Sequence, residues 1–207
     1  MYDCKVFLNW LNDRFEGPVI FSSSGGTVYG ESASPLHEGS KTVPLSAYGL
    51  EKLEAERLFC SYETGRLRLF CLRISNPYGA SLLPNRGIGF VDIAIASAKT
   101  SSIINVFGDG YNIRDFIHIN DLCRAFFGVL NYEGPHRIFN VASGIPRSII
   151  SVAELIKIAF SSCQIVFSED VSLDVRINAL VIDRAMSELA WRPTESLESY
   201  VSMKSLT

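Results

Sequence analysis

A tyrosine and a lysine four residues apart, Tyr48 and Lys52, are the residues whose types and spacing best suit chemistry. On a helix, this spacing places both side chains on one face, one turn apart. An ammonium group near a phenol favours the phenolate form, which can take a proton from an alcohol while a hydride leaves the same carbon. The same pair also occurs on ordinary amphipathic helices, so the prediction depends on the neighbouring segments.

Composition limits the classes of function. The chain has 207 residues, of which 47% are hydrophobic and 20% charged, as in an ordinary globular protein. The formal net charge is −3 and no dense Lys/Arg run occurs, so we expect no nucleic-acid or membrane-surface binding. The most apolar stretch, residues 88–98, is interrupted by Asp92 and is too short to span a bilayer.

The cysteines predict neither a disulfide framework nor a metal site. They number five and have no CxxC spacing, which is typical of reduced thiols in a cytosolic protein. They are Cys4, Cys60, Cys71, Cys123 and Cys163. We therefore predict a cytoplasmic location.

Strand and helix patterns alternate along the chain, which predicts an α/β fold with a mainly parallel sheet. Ser46 is the predicted N-cap of the helix that carries Tyr48 and ends near Gly65. Asp121 is also predicted as an N-cap, and His118 as a core histidine with satisfied hydrogen bonds. Strands are predicted at 19–23, 67–74, 103–107, 137–141 and 164–167. The other helices are predicted at 6–15, 89–99, 121–131, 151–160 and 183–190. Turns are predicted at 76–79 and 108–110.

Four segments in a fixed order make the chain resemble a known family. They are 22–30 (SSSGGTVYG), 48–52 (YGLEK), 73–79 (RISNPYG) and 107–121 (FGDGYNIRDFIHIND), and 139–144 (FNVASG) and 188–193 (ELAWRP) extend the match. Together they resemble the extended short-chain dehydrogenase/reductase family, and within it the NAD-dependent nucleotide-sugar epimerases of the UDP-glucose 4-epimerase type. The implied fold is a partial Rossmann-like parallel sheet plus a smaller C-terminal α/β substrate-binding region.

The resemblance implies roles for the residues that suit chemistry. Tyr48 would be the catalytic acid and base. Lys52 would also hold the nicotinamide ribose of NAD, and Ser75 would join both residues in binding the cofactor. The implied partners are a UDP-sugar substrate and a second copy of the chain, through a helix bundle that includes the Tyr48–Lys52 helix.

Substrate-binding roles are implied for four further residues. Asn76 and Arg114 would bind the diphosphate, because a guanidinium fork matches phosphate oxygens. Val106 and Phe107 would line a uracil pocket. The alternatives are a plain Asn-Pro turn at Asn76, core packing at Val106 and Phe107, and a surface ion pair between Arg114 and Asp115.

The serine segment departs from the family pattern. The position that usually holds the catalytic Ser or Thr is Gly25 here, so Ser24 and Thr27 are the candidates for supplying the hydroxyl. Dehydratases and decarboxylases of the family carry acidic residues just before VYG. Gly26 and Thr27 occupy those positions, which favours epimerase or reductase chemistry.

A second departure lies near the C-terminus. Relatives often have a phosphate-binding Arg three residues before the Asp of an Asp-Val or Asp-Leu pair. If Asp174 and Val175 form that pair, Val171 occupies the arginine position. Arg176 lies close, but the role does not transfer to it.

The glycine-rich turn that binds NAD in such enzymes is absent before Val19. We therefore expect that about one βαβαβ half is missing, and that the isolated chain does not hold NAD. Residues 1–75 would form the C-terminal part of a Rossmann-type domain. Residues 76–207 would be mainly the nucleotide-sugar-binding region, with segments returning to the sheet. The alternatives to a 4-epimerase are an inactive remnant, a nucleotide-sugar-binding module, and an NAD(P)-dependent keto-sugar reductase.

Overall fold

The computed structural model describes residues 2–33, 35–62, 66–80, 89–169 and 175–206. Its helices are α1 (Tyr2–Asn12), α2 (Ala47–Ser61), α3 (Phe90–Thr100), α4 (Ile119–Leu130), α5 (Ile149–Ala159), α6 (Asp183–Glu188) and α7 (Leu197–Ser205). Its strands are β1 (Gly17–Ser24), β2 (Leu67–Ile74), β3 (Asn76–Tyr78), β4 (Ile103–Phe107), β5 (Ile113–His118), β6 (Ile138–Val141), β7 (Pro146–Ser148) and β8 (Gln164–Ser168). The α/β class predicted from the sequence is confirmed.

A parallel sheet of order β1-β2-β6 forms the frame on which α2 is placed. The central strand, β2, is buried along most of its length, as its continuous apolar sequence predicts. Its residues Phe70 and Leu72 are fully buried, as are Phe139 and Val141 of β6. Because the three strands are parallel, their carboxyl ends meet at one edge, where Ser24, Ser75 and the segment after β6 lie.

The other strands of the described residues form two smaller sheets. In one, β5 pairs in parallel with β3 and antiparallel with β7; in the other, β4 pairs in parallel with β8. The prediction of a turn at 76–79 was wrong, since Asn76 to Tyr78 form β3. Asn76 precedes a proline and is therefore biased toward extended backbone. Pro77, which has no N–H to donate, is tolerated in this short strand at the side of the sheet.

Helix α2 begins where the sequence predicts. The Ser46 hydroxyl accepts a hydrogen bond from the Gly49 amide at 3.1 Å, so Ser46 is the N-cap. A Cβ at Gly49 would lie 2.7 Å from the carbonyl oxygen of Thr27. Glycine at this position therefore lets the first turn of α2 approach the backbone that follows β1.

In the C-terminal half, one prediction was wrong and one helix was missed. The N-cap of α4 is His118, whose Nδ1 accepts from the Asn120 amide at 3.2 Å, and not Asp121. The Asp121 carboxylate instead accepts from the amides of Thr194 and Glu195 at 2.9 and 3.0 Å. This contact fixes the segment leading to α7, a helix that was not predicted. His118 is buried, as expected of a core histidine.

Candidate active site

Tyr48 and Lys52 lie on one face of α2, at the carboxyl edge of the parallel sheet. The Lys52 ammonium nitrogen lies 5.5 Å from the centroid of the Tyr48 ring and 4.9 Å from that of Phe21. It also donates to the carbonyl oxygen of Ser22 at 2.9 Å. Tyr48 is 54% exposed. The Tyr48 phenol is therefore open to solvent and has a cation beside it. The last residues of β1 hold that cation in place.

The three serines at the end of β1 make different contacts. Ser22 contributes its carbonyl oxygen to Lys52, while the Ser23 hydroxyl is buried and donates to the Glu56 carboxylate at 2.5 Å. The carbonyl of Ser24 accepts from the amides of Thr27 and Val28 at 3.3 and 3.1 Å. The Ser24 residue is half-buried.

Packing leaves little room for a side chain at Gly25, the position at which the family resemblance implies a Ser or Thr. A Cβ at this position would lie 2.5 Å from Cδ1 of Leu180 and 2.9 Å from the carbonyl oxygen of Arg73. The Gly25 carbonyl also accepts from the side-chain amide of Asn178 at 2.9 Å. A side chain does not fit here without a shift of the surrounding chain.

Two hydroxyl groups at this edge are buried without a hydrogen-bond partner among the described residues: Thr27 Oγ1 and Ser75 Oγ. A buried hydroxyl without a partner is unfavourable, so such groups often serve a ligand. Thr27 follows β1 and Ser75 follows β2, so both lie near the carboxyl edge of the parallel sheet.

The residues predicted to bind the substrate diphosphate lie on β3 and β5. The Asn76 side-chain amide donates to the carbonyl oxygen of Asp115 at 2.9 Å. The Arg114 guanidinium is buried and donates to the carbonyl oxygens of Val175 and Ile113, at 2.5 and 2.7 Å. Both side chains are therefore engaged by the protein itself.

Asp115 does not form the surface ion pair considered as the alternative for Arg114. Its side chain is fully buried and accepts from the Ser143 amide and hydroxyl and from the Gly144 amide, at 2.7 to 2.8 Å. Burial raises the pKa of the Asp115 carboxyl, against the effect of these hydrogen bonds. Its carboxylate holds the loop after β6 beside β5.

Val106 and Phe107 do not share one environment. Val106 is fully buried in a core cluster with Ile104 and Ile156, while the neighbouring Phe107 is 64% exposed. The alternation follows from the pleat of β4, whose successive side chains point to opposite faces. Only Phe107 therefore presents an apolar surface to solvent.

Arg176 is held by its own ion pair. Its guanidinium makes two hydrogen bonds, of 3.0 and 2.9 Å, with the Asp109 carboxylate in the turn after β4. This contact raises the pKa of Arg176 and lowers that of Asp109. Val171 and Asp174 lie outside the described residues, so the comparison of that segment stays a prediction.

Sequence reasoning missed a buried ion pair below the site. Glu56 of α2 and Arg73 of β2 are 2% and 4% exposed and are joined directly. The Arg73 guanidinium also lies 4.7 Å from the centroid of the Tyr29 ring. The sequence did allow part of this to be predicted. Glu56 follows Lys52 by four residues, so it lies on the same face of α2 as Tyr48 and Lys52.

Comparison with known proteins identifies the family. Residues 7–142 match the model of the NAD dependent epimerase/dehydratase family. The chain belongs to this family. Its resemblance to the extended short-chain dehydrogenase/reductases is thereby confirmed, and the family is NAD-dependent.

Two relatives and one solved structure show the range of chemistry in the family. The chain is 35% identical to dTDP-4-dehydro-6-deoxyglucose reductase of Escherichia coli, over 87% of this chain and 58% of that protein. It is 32% identical to a putative UDP-glucose 4-epimerase of Methanocaldococcus jannaschii, over 87% and 59%. The UDP-glucose 4-epimerase of Thermotoga maritima, solved with UDP-glucose, aligns with a TM-score of 0.89 at 28% identity, over 98% of this chain and 67% of that one.

The chain therefore spans somewhat less than three fifths of the length of these two curated relatives. Among the described residues, no helix combines the length and apolar character needed to cross a membrane. The same residues contain no group of three or more His, Cys, Asp or Glu side chains placed to hold a metal ion.

Proposed function

We propose that this chain carries the proton-transfer residues and the sugar-nucleotide-binding elements of an NAD-dependent nucleotide-sugar 4-epimerase. The observation that carries the proposal is the exposed phenol of Tyr48, with the Lys52 ammonium nitrogen 5.5 Å from its ring centroid. Family membership and the similarity to 4-epimerases support it.

In the proposed reaction, Tyr48 takes the proton of the sugar 4-hydroxyl and later returns it. Lys52 stabilises the phenolate that Tyr48 must form, and the Ser22 carbonyl oxygen keeps the ammonium group in place. Bound NAD supplies the acceptor, and afterwards the donor, of the hydride. The 4-keto sugar rotates in the site between the two hydride transfers, so that the hydride returns to its other face. The 4-hydroxyl is thereby restored with inverted configuration. Ser24 or Thr27 would hydrogen-bond the reacting oxygen.

The residues of the chain fit one end of NAD. Lys52, Tyr48 and the unpartnered hydroxyl of Ser75 suit the nicotinamide ribose, which offers hydroxyl groups to bind. The 207 residues contain no glycine-rich strand–turn–helix motif before Val19 for the pyrophosphate. We propose that this unit lies on a further stretch of polypeptide and that the chain alone binds NAD weakly.

Roles for the substrate side follow from the same proposal. Phe107 would stack against the uracil ring, while Asn76 and Arg114 would bind the diphosphate after giving up their present backbone acceptors.

A homodimer through α1 and α2 is proposed as well. It is supported by four apolar side chains that are about half exposed: Val6, Phe7, Trp10 and Leu50. The division at residue 75 and the cytoplasmic location stay predictions.

The test compares the 207-residue chain with the same chain joined at its N-terminus to a glycine-rich βαβ unit of a family member. We expect the joined protein to retain NAD and to interconvert UDP-glucose and UDP-galactose, and the chain alone to do neither. Failure of the joined, NAD-loaded protein to invert any UDP-sugar would contradict the 4-epimerase proposal. Retention of NAD by the chain alone would contradict the remnant alternative.

A keto-sugar reductase is the second candidate. It is supported by the 35% identity to the E. coli dTDP-4-dehydro-6-deoxyglucose reductase. A reductase consumes one reduced nicotinamide for each sugar, whereas an epimerase regenerates its cofactor. Stoichiometric oxidation of NADH or NADPH on addition of a nucleotide 4-keto sugar would therefore distinguish the two.

A further inference from the structure

Residues 175–181 form a strap that joins Arg114 of β5 to the loop that follows β1. At the start of the strap, the carbonyl oxygens of Val175 and Arg176 accept from the Arg114 guanidinium, at 2.5 and 3.4 Å. Further along, the strap backbone makes two hydrogen bonds of 2.8 Å with Leu36 of that loop. The strap therefore connects the guanidinium that the proposed function assigns to the diphosphate with the chain beyond β1.

The two halves of the strap are held by different kinds of side chain. In the second half, the fully buried Asn178 donates its side-chain amide to the Gly25 carbonyl at 2.9 Å. The fully buried Asn140 of β6 donates in the same way to the Val181 carbonyl at 3.0 Å. The first half, residues 175–177, is contacted instead by exposed side chains. The second half is therefore the fixed end of the strap, and the first half is the end that can be released.

Glu31, in the loop after β1, holds the first half of the strap. Its exposed carboxylate accepts from the backbone amides of Arg176 and Ile177, at 2.6 and 3.3 Å. The Arg176 side chain adds an exposed ion pair with Asp109 at 2.9 Å, and the Ile113 amide donates to the Arg176 carbonyl at 2.9 Å. Hydrogen bonds to a carboxylate are stronger than those between neutral groups, whereas an exposed ion pair contributes little. We therefore expect Glu31 to be the main side chain that keeps this half in place.

We propose that residues 175–177 are an autoinhibitory latch, in which Glu31 keeps the strap carbonyls on Arg114 and so holds its guanidinium away from a nucleoside diphosphate. The proposal rests on the proposed function, in which Arg114 binds the diphosphate after giving up its present acceptors. Backbone carbonyls and phosphate oxygens compete for the same N–H groups, because arginine donates hydrogen bonds and accepts none. The diphosphate therefore binds in proportion to the fraction of molecules whose latch is open.

A latch of this kind gives stability and affinity opposite responses to one substitution. Loss of the Glu31 carboxylate removes two hydrogen bonds of the closed state, so the folded protein becomes less stable. The same loss favours the open state, so the apparent affinity for a diphosphate rises. A residue that served only the structure would lower stability without raising affinity. The combination of the two effects therefore identifies a latch.

The test measures the binding of UDP and of uridine to the 207-residue chain by calorimetric titration. Uridine lacks the diphosphate, so the ratio of the two affinities reports the diphosphate contacts alone. Glu31→Ala should raise the UDP affinity about tenfold, leave the uridine affinity unchanged and lower the urea midpoint of unfolding. Glu31→Asp keeps the charge but shortens the side chain, and it should also raise the UDP affinity, which separates release of the latch from loss of a negative charge. Glu133→Ala removes a carboxylate that is 88% exposed and should change neither affinity.

A second measurement tests whether the latch acts through Arg114. In an Arg114→Gln background, Glu31→Ala should no longer change the UDP affinity, because the guanidinium for which the acceptors compete is gone. If the unchanged chain binds UDP more tightly than uridine, an unchanged or weaker UDP affinity in both Glu31 variants overturns the latch and leaves the proposed function standing. An equal gain for uridine overturns the latch as well. If no chain, with or without the Glu31 substitutions, prefers UDP over uridine, the diphosphate role of Arg114 is overturned together with the latch.

Discussion

The Glu56 carboxylate and the Arg73 guanidinium form a buried pair, with hydrogen bonds of 2.7 and 3.1 Å between α2 and β2. The Ser23 hydroxyl donates to the same carboxylate, so one charge joins the helix to both neighbouring strands. Burial of Arg73 lowers its pKa, but the hydrogen bonds that Arg73 donates to Glu56, together with the electrostatic effects of Glu56 and Tyr29, outweigh burial and keep the pKa above the ordinary value. The pair thereby fixes the position of α2 relative to the sheet. It also fixes the position of Tyr48 and Lys52, which α2 carries.

Glu56→Ala should lower the free energy of unfolding by about 3–5 kcal/mol, because it leaves the buried charge of Arg73 without its carboxylate partner. Urea unfolding measures the change. Glu51→Ala, at an exposed position of the same helix, is the matched control and should stay within about 0.5 kcal/mol of the unchanged chain. The double change Glu56→Met with Arg73→Met should lose less than the sum of the single changes. Equal losses in Glu56→Ala and Glu51→Ala would contradict the structural role.

Tyr48→Phe, in the joined protein that carries a glycine-rich unit, should lower kcat about 10²–10⁴-fold, because proton transfer is lost. Its unfolding midpoint should not change, since the hydroxyl is exposed. Tyr62→Phe, the same change at the C-terminal end of α2, is the control and should keep full turnover. An unchanged rate in Tyr48→Phe would remove Tyr48 from the proposed mechanism.

Val106→Ala and Phe107→Ala should have opposite consequences. The first creates a cavity in the core and should cost about 1.5–3 kcal/mol of stability. The second removes an exposed ring and should leave stability within about 0.5 kcal/mol, while weakening the binding of UDP about tenfold if the ring stacks on the base. Calorimetric titration of both variants with UDP measures this. Unaltered UDP affinity in Phe107→Ala would exclude its stacking role.

The pKa of Asp115 predicts a dependence of stability on pH. The folded protein holds this proton more tightly than the unfolded chain does, because the carboxyl is buried. The contribution of Asp115 to the free energy of unfolding therefore decreases as the pH rises from its ordinary value of 3.8 to its raised value in the folded state. Urea unfolding of the unchanged chain and of Asp115→Asn, measured from pH 4 upward, should give a difference that changes in this window and is constant above it. Parallel curves throughout would contradict the prediction.

Features set by neighbouring residues could be predicted from the sequence. The bounds of β2 and β4 agree with the predicted strands, and Ser46 caps α2 as its residue type suggests. Features set by distant contacts could not. The role of Asp121 depends on residues 194 and 195, which its local sequence does not reveal. Helix α7 is short and weakly patterned, and it follows a Trp-Arg-Pro segment that indicates an end.

The same distinction applies to the candidate site. The side-by-side placement of Tyr48 and Lys52 follows from helix geometry alone, and the structure agrees with it. The separate environments of Val106 and Phe107 follow from strand geometry, but which of them faces the core depends on α3 and α5. Two of the carbonyl acceptors of Arg114, those of Val175 and Arg176, come from a segment some 60 residues further along the chain, beyond the reach of spacing arguments.

The crowding around Gly25 also limits which residues can occupy this position. Restoring a serine there by a single substitution would force the new side chain against both Leu180 and a strand carbonyl, and the carbonyl cannot be trimmed by a further mutation. A side chain at position 25 therefore requires the turn itself to be rebuilt. In the proposed mechanism, the hydroxyl group near the reacting oxygen would have to come from another residue, Ser24 or Thr27.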